Sequence, residues 1–592
     1  MTPEQVDARV DTTEPPPSTD PHPVRRLTDG FRPVYERHRR LIDVLVYVLA
    51  TIGAWSVRFV QDDAFISFRY AKNLAEGRGL VFNPGERVEG YTNFLWTVLM
   101  AIPEWLGWST PLFSQLLGMV VFLATLAVSW RLARKVLGDD TLALLAVVVL
   151  LTNMTFLSYA TGGLETMLQT LLVMSVITLL LPVDVGSGLP GLGRYIGAGV
   201  LAGLAVLTRL DSVVLLATIM LVHLIQVLRQ VSPEHRTRAG GRAVAGLGIS
   251  TLAVVVPWLV WKLDYYGHLL PNTFEAKSGG NPLGQVLFVA VYFAAFFVGY
   301  FLFLLIGRWR RYRGAFFSLP GARQVFWVVP VWLLYIGFAG ADFMEFRFMV
   351  PILPLLALLG AVLIDHFRRT GMQIALIAGL AFASIGHLLL PSLAYPVTTF
   401  QDLRVWPADS PHALTTVGEQ LAATFPGGLD REDQVIMSIG SLGVVPYYSQ
   451  LPTVDMVGLA DRVVATEGEQ IAMYYPGHLR FAPLDYLVER QVNIVAAFPI
   501  AVDIEPERES YRLSELIEVY PVVDLSELPE DATVVEIPMD DETAWVAIYL
   551  TPHPEVDRAI EEEGWRQLPI ERVCDPDDID EVVRFVGSRT CA

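Results

Sequence analysis

The sequence predicts a polytopic α-helical membrane protein of about eleven transmembrane helices with a C-terminal α/β soluble domain. Two observations predict it. Of 592 residues 53% are hydrophobic, mean hydropathy is +0.44, and apolar runs of the ~20 residues a bilayer requires recur through the first two thirds of the chain. Charge is also segregated. From Gln401 onward there are 12 Arg, no Lys and 37 Asp plus Glu, a net −25, which leaves the first 400 residues at about +6. A basic membrane half and an acidic tail are two bodies, and this balance argues against nucleic acid as a partner.

The elements follow in order. Residues 1–40 form a disordered cytoplasmic tail: the start is polar and Pro-rich (Pro15-Pro16-Pro17) and lacks the apolar core of a signal peptide. Arg25, Arg26, Arg32, Arg37, Arg39 and Arg40 precede the first span, 41–60, and place the N-terminus in the cytoplasm. The transmembrane domain covers 41–395, with a first periplasmic loop at 61–110. Inside that loop, 93–108 is short and interrupted by Pro103 and Glu104. It reads as re-entrant, because a full crossing would put Arg131, Arg134 and Lys135 outside. Spans follow at 111–135, 141–159, 166–182, a hairpin at 195–210 and 212–229, then 243–263, 284–307, 324–340, 349–366 and 372–391. Their basic ends, such as Arg236 to Arg242 and Arg308 to Arg313, fall on the cytoplasmic side, and the domain 396–592 lies outside. That domain alternates apolar segments (434–440, 492–499, 533–537, 545–550) with helix-like ones (411–424, 555–564), the order of an α/β unit. Gly440-Ser441-Leu442-Gly443 reads as a plain turn. The two cysteines, Cys574 and Cys591, are close together, which in an oxidising compartment favours a disulfide.

The densest polar stretch is Gln61 to Asn93. Asp62 and Asp63 stand where the first span leaves the bilayer, and ionisable groups at that depth are costly enough to mark function. The competing reading is a helix cap. From Asp62 onward, helical spacing puts Phe65, Phe68, Ala71 and Leu74 on one stripe and Asp62, Ile66, Arg69 and Asn73 on another. The expected topology brings four more polar clusters to the same face: Thr161 to Thr166 with Glu165, Thr208 to Asp211 with Arg209, His268 to Lys277 with Asn272, and Asp342 with Glu345 and Arg347. Each alone reads as a structural pair or a span end; their convergence points to a site.

Arg69, Arg209, His268, Lys277 and Arg347 are the candidates to bind an anionic head group, arginine especially, because its planar fork donates two hydrogen bonds. Asp62 and Asp63 are candidates for base, nucleophile or metal ligand. Asn73, Glu89, Tyr91, Glu165, Asp211, Asn272 and Asp342 are candidates to touch substrate. A phosphate-linked sugar on a lipid fits: its tail lies among the spans, its phosphate meets the cations, and a base activates the acceptor hydroxyl.

Asp62-Asp63-Ala64-Phe65-Ile66, Phe68-Arg69-Tyr70-Ala71, Gly79-Leu80-Val81-Phe82-Asn83, Gly85-Glu86 and Val88-Glu89-Gly90-Tyr91-Thr92-Asn93 together resemble the mycobacterial and corynebacterial terminal β-(1→2) arabinofuranosyltransferases, of the GT-C membrane glycosyltransferase class. The resemblance implies an enzyme of the plasma membrane that takes arabinofuranose from decaprenylphosphoryl-arabinofuranose. It implies addition to the ends of arabinan in arabinogalactan and lipoarabinomannan on the periplasmic side, with an acidic first-loop residue, Asp63 or Asp62, as the catalytic group. It implies net retention, since donor and product are both β-linked. No cofactor is certain; a divalent cation (Mg, Mn or Ca) at Asp62 or Asp63 is compatible with the class. A position like that of carbohydrate-binding domains in related enzymes makes the tail a candidate arabinan grip. The rivals are a polyprenyl-phosphate-dependent transferase of another sugar, a lipid or sugar transporter, and a non-catalytic envelope scaffold. A transporter predicts an inverted repeat and midplane charges, and the sequence has neither.

Overall fold

Helix boundaries follow local chemistry. In the computed structural model, the described residues are 27–181, 190–299, 313–314, 316–317, 319, 321–367, 370–389, 414–470, 474–517, 519–520 and 524–573. Cys574 and Cys591 lie outside them. The first helix, Leu27–Ser56, kinks at His38. An extended Gln61 interrupts the chain before the next helix, Asp62–Ala75. Phe94–Leu106 has 13 residues and ends at left-handed Gly107; it is too short to cross a bilayer unaided. Ser109 then caps Thr110–Leu137 by accepting from the Leu112 N–H.

The expected single span at 141–159 is instead two helices, Asp140–Leu151 and Met154–Ser158. The reason is Asn153, whose side chain accepts the Phe156 N–H and starts a new helix. The expected hairpin at 195–229 is present as Leu192–Thr208 and Ser212–Gln230, broken at Arg209, whose φ is −155°. The following helices run from Pro233 to Tyr266 through a π turn at Ala245–Ile249. Pro282–Gly299 and Ala322–Ala339 come next, then a 3-10 turn, Arg347–Ile352, leads into Leu353–Asp365, and Thr370–Leu389 closes the set. Among the described residues, five helices are counted as long and apolar enough to cross a membrane, and six further apolar helices, Thr166–Leu180 and Leu192–Thr208 among them, accompany these. Together they make a multi-pass membrane protein.

The C-terminal domain is built on a seven-stranded mixed sheet of order β2-β1-β5-β8-β7-β9-β6. Its strands are β1 Met437–Ile439, β2 Thr453–Asp455, β5 Ile494–Asp503, β6 Tyr511–Arg512, β7 Thr533–Pro538, β8 Thr543–Tyr549 and β9 Arg566–Glu571; β3 Glu469–Gln470 and β4 Arg480–Phe481 form a separate pair. The four apolar segments read from the sequence are β1, β5, β7 and β8. β1 is parallel to β2 and β5, whereas β5–β8, β8–β7 and β7–β9 are antiparallel. All seven residues of β8 are buried, as a strand flanked on both edges and covered on both faces requires.

The first loop is welded to this domain. Arg78 pairs with Asp430 at 2.7 Å, Arg490 pairs with Glu86, and the Tyr447 hydroxyl donates to Glu104 at 2.7 Å. Ile66, Tyr70, Leu80, Phe82 and Tyr91 share one apolar cluster with Tyr266, Leu442 and Ala460. The Asp62–Ala75 helix is therefore held between the membrane bundle and the soluble domain.

Candidate active site

Asp62 and Asp63 are neighbours in sequence with different surroundings. The Asp62 carboxylate accepts the Val444 N–H at 2.8 Å and the Gly443 N–H at 3.2 Å. The Gly440–Gly443 turn is thus a docking device, and Gly443 has to be glycine, because a Cβ there would run into the Asp62 backbone carbonyl. Burial pushes the Asp62 carboxyl up to about 7, against the pull of the two N–H groups. Asp63 makes no hydrogen bond or ion pair among the described residues. It faces Arg347 and Lys277, which favour its ionised form, and Asp342 and Glu165, which oppose it; burial outweighs them all and raises its pKa.

Around Asp63 the cations divide by how far their donors are already used. Arg209 gives Nη1 to Glu165 at 2.8 Å and Nη2 to Asp211 at 2.7 Å, with Nε shared between both Asp211 oxygens. Glu165 also accepts from Asn93 at 2.7 Å, and Asp211 from Gln169 at 2.8 Å. Two carboxylates therefore hold Arg209, and it is a framework residue. Arg347 gives only Nε, to Asp342 at 2.8 Å, so its two terminal amino groups are unspent among the described residues. The Lys277 side chain is exposed and has no hydrogen bond or ion pair among the described residues. The protein crowded around it lowers its pKa. The Phe348 ring lies against both guanidinium groups, 5.2 Å from Arg209 and 5.6 Å from Arg347. Ala341 and Phe346 flank Asp342 and Glu345 with φ of +63° and +48°, a left-handed backbone that costs energy in non-glycine residues.

The structure corrects several expectations. Arg69 does not face an anion: it is fully buried and donates to the carbonyls of Phe82, Pro446 and Leu451 and to Asn83. A guanidinium used up on carbonyls has nothing left for phosphate. Asn73 clips the Val81 and Phe82 carbonyls, and Asn272 clips those of Gly458, Leu459 and Asp461. Glu89 is paired with buried Lys262 at 2.7 Å, and the Tyr91 hydroxyl meets that of Tyr266 at 3.1 Å. His268 is exposed and bonds to none of the other site residues. Glu165, Asp211 and Asp342 orient arginines. Among the described residues no three His, Cys, Asp or Glu side chains are placed to hold a metal, and Asp62 is already committed to backbone N–H groups. Lys262, Phe348 and the Gly443–Val444 backbone were missed. Only Asn93, inside the first-loop motif, carried a sequence signal.

The fold defines the class. It is the GT-C fold, seen in ArnT from Cupriavidus metallidurans bound to undecaprenyl phosphate, with a TM-score of 0.53, 13% identity, and coverage of 86% of this chain and 97% of that one. The apo state of the same protein gives 0.51, 14%, 88% and 98%. In sequence, the chain is similar to the terminal beta-(1->2)-arabinofuranosyltransferase of Mycobacterium tuberculosis, 30% identical over 252 residues, which is 40% of this chain and 38% of that protein. The counterpart in Corynebacterium glutamicum is 27% identical over 256 residues, 40% of this chain and 35% of that protein. The matched region thus spans less than two fifths of either relative. Residues 412–549 match the model of a domain of unknown function (DUF8728).

Proposed function

We propose that the chain is a plasma-membrane glycosyltransferase that moves arabinofuranose from decaprenylphosphoryl-arabinofuranose to the ends of arabinan chains in β-(1→2) linkage, in arabinogalactan and lipoarabinomannan. The observation that carries this reading is the unspent set Asp63, Lys277 and Arg347 on a GT-C fold. Similarity to the two arabinofuranosyltransferases supports the sugar. The lipid tail lies against the bundle, and Lys277 with the Arg347 amino groups holds the phosphate. The bond from the anomeric carbon to the phosphate oxygen breaks, the acceptor hydroxyl oxygen bonds to that carbon, and the polyprenyl phosphate leaves with the electron pair.

Asp63 is the reacting carboxylate. Retention is met if Asp63 attacks the anomeric carbon and expels the polyprenyl phosphate, after which the acceptor oxygen displaces Asp63 from that carbon and the departed phosphate takes the hydroxyl proton, or if attack comes from the leaving-group face while Asp63 takes the hydroxyl proton. A covalent sugar adduct on Asp63, trapped with a slow donor analogue and read by mass spectrometry, separates the two. The N-terminus is cytoplasmic and the site periplasmic on the arginine pattern.

The test is transfer by purified protein to a short synthetic arabinan, with matched polyprenyl-phosphate donors carrying arabinofuranose or mannose. Product from the arabinofuranose donor alone is expected. Product from mannose alone would replace the sugar, and binding of donor with product from neither would end the enzyme reading.

A further inference from the structure

The helix that carries Asp63 is tied to the arginine framework through Asn93. Asn93 stands just before the helix Phe94–Leu106 and is buried. Its amide makes no capping bond to the first turn of that helix. Instead Nδ2 donates to Glu165 Oε2 at 2.7 Å and lies 3.1 Å from Ser67 Oγ, and Oδ1 accepts the Thr97 hydroxyl at 3.0 Å. Ser67 is one turn after Asp63, so the two share a face of the Asp62–Ala75 helix. Beyond Asn93, Glu165 Oε1 holds Arg209 Nη1 at 2.8 Å, and Asp211 holds Nη2 at 2.7 Å. Gln169, one turn after Glu165, donates to Asp211 at 2.8 Å and closes the frame. The Phe348 ring carries the line on from Arg209 to Arg347.

The chemistry of the position is restrictive. A buried side chain there has to give an N–H to a carboxylate and accept a hydroxyl, which an amide does and an ionised carboxylate does not. Aspartate would set a second charge against Glu165, and an apolar residue would leave Glu165 one donor short. Asn93 has no bond to Asp63, Lys277 or Arg347 among the described residues, so it acts through others. Resting on the reading above, we propose that Asn93 is a positioning residue of the transferase. It sets the Asp63 helix against the Glu165–Arg209 frame and so fixes the gap between the reacting carboxylate and the Arg347 amino groups. Those two groups act on opposite ends of one breaking bond, Asp63 at the anomeric carbon and Arg347 at the departing phosphate. A misplacement of about 1 Å between them costs on the order of 100-fold in rate.

The test reads kcat and donor KM separately across pH. Release of polyprenyl phosphate from matched arabinofuranose and mannose donors, with a short arabinan as acceptor, is followed for wild type, Ser67→Ala, Asn93→Ala and Asn93→Asp. Ser67→Ala removes the contact on the Asp63 helix, spares Glu165 and is the variant least able to disturb folding. Its kcat falls roughly 10-fold and that of Asn93→Ala roughly 10- to 100-fold, while donor KM stays within about 3-fold of wild type. Asn93→Asp gives a signature that lost stability does not. The carboxyls at 93 and 165 bridge only while they share a proton, so its kcat has a falling limb at lower pH than that of wild type or Asn93→Ala. Because Asn93 works through Arg347, the kcat losses of Asn93→Ala and Arg347→Lys combine to less than their product. Wild-type kcat in both alanine variants, a loss confined to KM, or fully multiplicative losses overturn the positioning role and leave the transferase standing. Turnover from the mannose donor alone, with the same kcat losses, replaces the sugar and supports the role of Asn93. Wild type inert with both donors ends both readings.

Discussion

The different surroundings of the two neighbouring carboxylates make a sharp prediction. In Asp63→Asn the amide occupies the same volume but neither accepts a proton nor attacks carbon. Because the Asp63 side chain holds no hydrogen bond among the described residues, none of the described contacts is lost. The expected loss is that of a positioned acid/base, about 100- to 10,000-fold, or ~2.7–5.4 kcal/mol of transition-state stabilisation. Melting temperature and donor affinity stay near wild type. Asp62→Asn acts elsewhere. The carboxylate accepts two backbone N–H groups, whereas the amide oxygen accepts one and its NH2 opposes the other. That leaves one half-buried donor unsatisfied and costs the docking about 1–3 kcal/mol. Its signature is a lower melting temperature and easier proteolytic release of the soluble domain, with a smaller loss of rate. The assay is single-turnover transfer at saturating donor, with melting curves on the same samples. The reasoning fails if Asp63→Asn turns over within ~10-fold of wild type. It also fails if Asp62→Asn is the more damaged in rate while its melting temperature is unchanged.

Further predictions concern the framework. Arg69→Met strips the donors from the Phe82, Pro446 and Leu451 carbonyls and from Asn83, so it destabilises the domain junction by ~3 kcal/mol or more; limited proteolysis that leaves the junction intact would contradict this. Lys262→Met leaves Glu89 buried without its partner, at ~3–5 kcal/mol by thermal melting, and Lys262→Met combined with Glu89→Gln recovers much of it. For pH, Asp63 must be ionised and its pKa lies above the ordinary 3.8, so kcat/KM rises with pH through an inflection above that value; Lys277, lowered from 10.5, gives the falling limb below 10.5. A rising limb still present in Asp63→Asn would assign it to another group. Asp455, pushed up to about 7 by burial, binds its proton more tightly folded than unfolded, so stability of the soluble domain falls as pH rises from ~4 to 7, and Asp455→Asn flattens that slope in urea titrations.

What the sequence made legible was whatever depends on near neighbours. Hydropathy located the helices, the break at Arg209 was readable as two polar residues between apolar runs, and alternation found β1, β5, β7 and β8. The split at Asn153 was lost because a capping side chain within an apolar run looks like any other polar residue. The site was legible as a set and not as roles. Arg69, Arg209 and Arg347 are the same residue type on the same outer clusters. What separates them is which donors are already used, and that depends on distant chain. Arg69 is consumed by carbonyls 377 and 382 residues away, and Arg209 by Glu165, 44 residues away. Asp62 and Asp63 differ for the same reason, through a turn 381 residues on.

The distribution of spent and unspent donors also fits how charge moves in the proposed reaction. The donor is a phosphodiester with one negative charge, and the leaving group is a phosphate monoester whose second charge appears as the anomeric bond breaks. Lys277, with no ion pair among the described residues, matches the charge present in the ground state. Arg347 is half neutralised by Asp342 and keeps two amino groups open, so its contribution grows as the second charge develops. An interaction that strengthens in the transition state raises kcat, whereas one already complete in the bound substrate lowers KM. Lys277→Met therefore raises KM for the donor more than it lowers kcat. Arg347→Lys, which retains the pair with Asp342 but loses the fork, lowers kcat more than it raises KM. Arg209, pinned by two carboxylates, stays out of this exchange and, with the Phe348 ring between them, fixes where Arg347 points.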